Sequence, residues 1–217
     1  IVLKTVKRGG TVVIPSFAVG RTQELIYEFN KFYAKRPELK DELEKISVYI
    51  DSPMATNATE VFKENAQVYD DEARDFLMRG DNPLDFPGLK FTKTTQESQF
   101  LNIDNSPKII ISASGMCEAG RIRHHLKHNL WNTKSSIVFV GYQAEGTLGR
   151  MLIEGVKDVT LFGESIHVNA EIYNLEGFSG HADRDGLTQW LQGFEAKPKQ
   201  LFLVHGEMQA KYDFAEH

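Results

Sequence analysis

Five short runs of β-branched and aliphatic residues recur along the chain: TVVIP at 11–15, ISVYI at 46–50, KIIIS at 108–112, SIVFV at 136–140 and LFLV at 201–204. They are apolar at nearly every position rather than at alternate ones. That pattern belongs to strands covered on both faces. Helical stretches lie between them. In RTQELIYEFNKFYAKR (21–36), Leu25, Ile26, Phe29, Phe32 and Tyr33 form one stripe. MATNATEVFKENAQVY (54–69) follows Ser52-Pro53, a capping residue with proline in the first turn. CEAGRIRHHLKHNL (117–130) reads as a third helix. Strands alternating with helices predict an α/β fold with a mostly parallel sheet flanked by helices.

Two regions depart from this rhythm. Residues 70–107 are polar, with DNPLDFPG near their middle, and read as a helix at 71–79, a loop and a connecting helix on the surface. After about residue 158, VTLFG and SIHVNAEIYNLEGF read as two antiparallel strands joined by a tight turn. A domain boundary is therefore expected near 160, giving 1–160 and 161–217. With 217 residues, 41 % hydrophobic and 25 % charged, the chain can bury a sizeable core. No window approaches the roughly 18 apolar residues of a membrane span, so no membrane partner is expected. The single cysteine, Cys117, excludes an internal disulfide and fits a reducing cytoplasm. A net charge of −5 argues against a generally basic nucleic-acid coat but leaves room for a local basic cleft. The opening IVLKTVKRGG reads as a helix end closed by glycine, in a chain taken from something longer.

In parallel α/β sheets, ligands bind beyond the carboxyl ends of the strands. Here those loops are PSFAVGR (15–21), DSPMA (51–55), SASGMCEAGR (112–121) and GYQAEGTLGR (141–150), rich in Gly and Ser, with Arg21, Arg121 and Arg150. Small residues let backbone N–H groups reach an oxyanion, and arginine can clamp phosphate. Each loop alone reads equally as a turn; four on one edge point to a phosphate cleft. Two further segments, FSGHAD (178–183) and LVHGE (203–207), place His181 and His205 where strands are expected to end, with Asp183 as a helix cap.

GGTVVIPSFAVGRTQELIYEF, DSPMA, SASGMCEAGRIRHHL, GYQAEGTLGR, FSGHAD and LVHGE occur in this order, and together they resemble the β-CASP family of metallo-β-lactamase-fold RNA-processing nucleases. The resemblance implies a β-CASP insert over 1–160 and a partial return into the metallo-β-lactamase domain after it. It implies a metal-dependent hydrolase of RNA phosphodiester bonds, acting between the two domains with two zinc ions. His181 would be the catalytic proton donor or charge stabiliser at the scissile phosphate. His205 would be a metal ligand, and histidine in this motif, rather than valine, leans the reading to RNA. Ser179, Gly180, Ser112, Ser114, Gly115 and Arg21 would bind substrate phosphates. The expected partners are single-stranded RNA, including 5′-phosphorylated RNA, and an N-terminal metallo-β-lactamase half; a homodimer is left open. The family's main metal motif, HxHxDH, is not in this sequence, so the chain alone is expected to be inactive. The alternative is a non-catalytic RNA-binding or scaffolding relative. A small-molecule phosphate binder is disfavoured, because no GxGxxG or GxxxxGK[ST] occurs.

Other residues carry plainer readings. His124, His125 and His128 suit a basic or amphipathic helix face, His167 a satisfied polar position, and Cys117 a buried inert thiol. Asp51 is equally a cleft residue or a turn former.

Overall fold

A computed structural model describes residues 1–178 and 180–217, except for the side chains of Lys40 and Glu176. It divides into two compact units, Ile1–Gly177 and Phe178–His217.

The first unit opens with α1 (Val2–Lys7), closed by Gly9 at φ 79°. Then follow β1 (Thr11–Pro15), α2 (Arg21–Lys35), α3 (Lys40–Leu43), β2 (Ser47–Ile50), α4 (Pro53–Glu64) and α5 (Asp71–Met78). The chain continues through β3 (Leu89–Phe91), α6 (Thr95–Ile103), β4 (Lys108–Ser112), α7 (Ile122–Asn129), β5 (Ser136–Phe139) and α8 (Leu148–Ile153). A hairpin of β6 (Asp158–Leu161) and β7 (Glu164–His167) precedes β8 (Glu171–Asn174). The main sheet has the order β3-β2-β4-β1-β5-β8 and every pair in it is parallel. Ser52 caps α4 as expected, accepting from the Ala55 N–H at 3.3 Å.

Val13, Ile137 and Phe139 point to one face, where they pack with Ile122 and Leu126 of α7, Leu130 just after it, and Leu152 of α8. Cys117 lies fully buried in the same cluster, and burial pushes its thiol pKa well up, so it packs as a small apolar group. Lys108, 1 % exposed, sends its ammonium to the carbonyls of Leu101 and Asp104 and sits 2.9 Å from the Asp104 carboxylate. It thus satisfies the orphan carbonyls at the end of α6.

Several expectations need correction. The third helix begins at Ile122, not Cys117, because residues 113–120 form a folded loop. The second ends at Glu64, followed by a 3₁₀ turn at Ala66–Val68. In α2, Asn30 is buried and Phe32 is 40 % exposed. The reason is the polar excursion, which is not all surface: Leu84 and Phe86 are buried. Phe86 packs on Phe29 and Tyr33, and Asn30 donates to the Asn82 carbonyl. SIHVNAEIYNLEGF is not one strand. Its first part forms the antiparallel partner of β6, and its second joins β5 as a parallel edge strand.

The second unit holds α9 (Arg184–Gln192) and α10 (Met208–Glu216). Asp183 caps α9, accepting from the Gly186 N–H at 2.8 Å. LFLV is not a strand: 201–204 pairs with no strand among the described residues, and backbone groups without a ladder partner make none. His205 therefore does not end a strand. Nor does His181, which comes after the 3₁₀ turn Glu176–Phe178 rather than after a strand.

Candidate functional site

The strand order fixes where the first unit can bind. After β1 the chain moves toward β2; after β4 it moves the opposite way, to β5. Right-handed crossovers then put α2 and α7 on opposite faces, so the carboxyl ends of the neighbours β1 and β4 bound a topological switch point.

The loops there are fastened to one another. Ser16 N–H donates to the Ser112 carbonyl at 2.9 Å, and Gln23 spans from the Ala18 carbonyl to Thr59 of α4. Gly115 lies against Phe17: a Cβ on it would stand 3.1 Å from the Phe17 ring. Gln143, 5 % exposed, donates to the carbonyls of Gly115 and Gly141, both at 3.0 Å. A Cβ at Gly149 would stand 1.8 Å from the Gln143 Oε1, so the Q and the later G of GYQAEGTLGR are two halves of one clip. Within SASGMCEAGR, Ser114 bonds Ala119 through both its backbone and its hydroxyl. Gly120 is at φ 81°, and a Cβ on it would stand 2.3 Å from the Ala113 carbonyl oxygen.

Beneath these loops lies a buried polar network. Asp51, 0 % exposed, accepts from Arg121 Nη1 at 2.7 Å, Ser98 at 2.6 Å, and Thr92; His125 Nε2 lies 2.5 Å from its Oδ2. The other nitrogen of His125 faces Asn102 Oδ1 at 2.8 Å. Burial pushes the Asp51 carboxyl up, but the hydrogen bonds from His125, Ser98 and Thr92 outweigh it and hold the group far below the usual carboxylate range. A buried carboxylate bonded by two basic side chains ties three connections together: β2–α4, α6 and β4–α7. This network is absent from the sequence reading. The available signal was helical spacing, because His125 shares the buried face of α7 with Ile122, Leu126 and Asn129.

The expected site residues fall into two groups. In the first unit, Ser112 is buried and its hydroxyl donates to the Asp51 carbonyl at 2.7 Å. Ser114 and Gly115 lie on the switch-point loop. Arg21 starts α2 and bridges Glu24 at 2.5 Å. In the second unit, Gly180 and His181 lie in the exposed segment before α9, and His205 is exposed after 201–204. Ser179 lies outside the described residues. His205 has φ 71° and Gly206 φ 87°, two left-handed residues in a row. That conformation is uncommon outside glycine and clusters at functional positions. His205 lines a cavity of about 330 Å³ between α9, 201–206 and α10. Among the described residues, no three His, Cys, Asp or Glu side chains are grouped to hold a metal ion.

Residues 22–152, more than half of the chain, match the model of the Beta-Casp domain. The chain belongs to the β-CASP family of RNA-processing nucleases. Residues 165–217 match a second model, described as a Zn-dependent metallo-hydrolase RNA specificity domain. Among the relatives, ribonuclease TTHA0252 of Thermus thermophilus is 38 % identical over 207 residues, covering 95 % of this chain and 46 % of that protein. Transcription termination factor FttA of Methanocaldococcus jannaschii is 35 % identical over 222 residues, covering 100 % of this chain and 34 % of that one. The factor of the same name from Thermococcus kodakarensis is 34 % identical over 213 residues, 95 % of this chain and 32 % of that one. The β-CASP chain thus spans less than half the length of these relatives.

Proposed function

We propose that the chain is the RNA-gripping part of a zinc-dependent ribonuclease, which hydrolyses phosphodiester bonds between a metallo-β-lactamase domain and the β-CASP sheet. The observation that carries this is the succession of the Beta-Casp and RNA-specificity models along one chain, with its loops clipped together at a switch point. Ser114, Gly115 and Arg21 hold phosphate oxygens at that edge; small residues and backbone N–H groups suit an anion there. Ser112 acts from beneath, by holding Asp51. Ser179 and Gly180 hold the phosphate next to His181, which gives a proton or hydrogen bond to the departing oxygen. His205 supplies one zinc ligand, and the remaining ligands come from a metallo-β-lactamase half outside this chain. The chain alone does not cleave, and the enzyme works in the reducing cytoplasm that one cysteine fits.

The test uses labelled 5′-phosphorylated single-stranded RNA. The 217-residue chain is expected to bind it, without cleavage, and nucleoside monophosphates are expected to compete weakly. Joined behind a metallo-β-lactamase half, it is expected to cleave, and His181→Ala to slow cleavage by about 10²–10⁴-fold. Absence of RNA binding would sink the reading. Cleavage by the chain alone would overturn the division of ligands, and a joined protein that binds but never cleaves would favour a scaffolding relative.

A further inference from the structure

Helix α7 gathers basic side chains in a chain of net charge −5. Arg121 precedes it, and Ile122–Asn129 contains Arg123, His124, Lys127 and His128 with no acidic residue. Helical spacing sorts them. Ile122, His125, Leu126 and Asn129 are buried and Arg121 turns inward to Asp51, which leaves His124, Lys127 and His128 on the outward side. Because α7 follows the carboxyl end of β4, this stripe begins about one helical turn beyond the switch-point loop. It runs about 10 Å away from there.

The tip of the β6–β7 hairpin lies against the stripe. Leu161 pairs with Glu164, so the turn is the two residues Phe162 and Gly163, at φ 52° and 79°. Such a turn favours asparagine or glycine at its first position. Phenylalanine contributes nothing to it, yet leaves an aromatic ring 48 % exposed. That ring stacks on His124, with centroids 4.4 Å apart and planes 22° from parallel, and Arg123 Cζ lies 5.3 Å from its centre. On the opposing side of the balance, Glu164 bridges Lys127 at 2.6 Å.

We infer that the outward face of α7, with the His124–Phe162 pair and the cations Arg123 and Lys127, is a second RNA-binding surface that takes about two phosphates of a single strand leaving the switch point. The stacked pair receives an unpaired base; an acidic peptide would gain nothing from it. This rests on the RNA reading above.

The experiment measures binding of the full chain to single-stranded RNA oligomers of about four and about twelve nucleotides across a salt series. Phe162→Asn is the central variant, since asparagine suits the turn and its melting temperature is expected to match or exceed the parent's. It should weaken the long oligomer about tenfold and leave the short one unchanged. Lys127→Gln should make the long oligomer's salt slope shallower by about 0.7, and Glu164→Gln should tighten its binding. If the parent chain binds neither oligomer, the RNA reading itself fails. If it binds both and Phe162→Asn changes neither, this surface is refuted alone. Displacement of the long oligomer by polyglutamate as readily as by RNA would overturn it in favour of an acidic protein partner.

Discussion

Ile109, Ile110 and Ile111 of β4 are at most 1 % exposed, whereas Leu201, Phe202 and Val204 are 52, 77 and 71 % exposed. The two runs read alike as sequence. What separates them is company: β4 is hydrogen-bonded to β1 on one side and β2 on the other, while 201–204 has no strand beside it among the described residues. The helices repeat the contrast. In the sheet unit, α7 buries Ile122, His125, Leu126 and Asn129; in the C-terminal unit, neither α9 nor α10 buries any residue. An apolar run is thus a statement about what could cover it. The sheet unit supplies its own cover, and the C-terminal unit leaves Trp190, Phe202 and Tyr212 largely in solvent.

The sharpest way to break this comparison is at Asp51. Asp51→Ala strands Arg121 and His125 without their carboxylate, and removing one partner of a buried charged set costs about 3–5 kcal/mol. Denaturant unfolding should show a loss of that size. Asp183→Ala in the C-terminal unit, which removes only a helix cap, should cost about 1 kcal/mol. Equal losses would mean that the two units are held with equal tightness.

This network also marks the limit of what the sequence discloses. The parallel strands were legible because burial on both faces leaves an unbroken apolar signature, and Ser52 and Asp183 were legible because caps act within three residues. Pairing is not local. Asp51 meets His125 74 positions away, and nothing near either residue announces the other. Three-residue β3 was too short to show a period, and β8 was merged with β7 because its partner, β5, lies more than thirty residues earlier. The site divided in the same way. The Gly- and Ser-rich loops were visible as motifs, but that Gly149 makes room for Gln143, and that Ser112 is spent on Asp51, follows only from the fold.

A smaller effect sharpens the comparison inside the loops. Gly149→Ala drives a methyl into the Gln143 amide and should cost about 1–3 kcal/mol. In a Gln143→Ala background the same change should be nearly neutral, so a double-mutant cycle should return a coupling of at least 0.5 kcal/mol, about the floor for residues in contact. Additive losses would show that the clip is not what the two positions share.

Acid probes the sheet unit on a further scale. Hydrogen bonds from Ser106, then Lys108, hold the Asp104 carboxyl at about 2, below its usual 3.8. A folded-state value below the unfolded one means stability that is present above about pH 4 and lost as pH falls toward 2. Asp51, also depressed, has the same sign. Lys108→Met removes one of Asp104's partners. After allowance for solvent screening it should flatten the pH 4-to-2 loss by about 1 kcal/mol. An unchanged acid limb would assign that loss to other carboxylates.

The smallest expected effect is the most telling about the C-terminal unit. Phe202 is 77 % exposed, so its ring gives up little contact with protein when it is removed. Phe202→Ser should leave the unfolding free energy within about 0.5 kcal/mol of the parent, as for other surface substitutions. Ile110→Ala, at a position 0 % exposed, should cost about 2–5 kcal/mol in the same measurement. The two substitutions differ in cover, not in the kind of run they interrupt. If Phe202→Ser cost as much as Ile110→Ala, the 201–204 run would have to be covered in solution. The contrast between a self-covered sheet and an uncovered C-terminal unit would then dissolve.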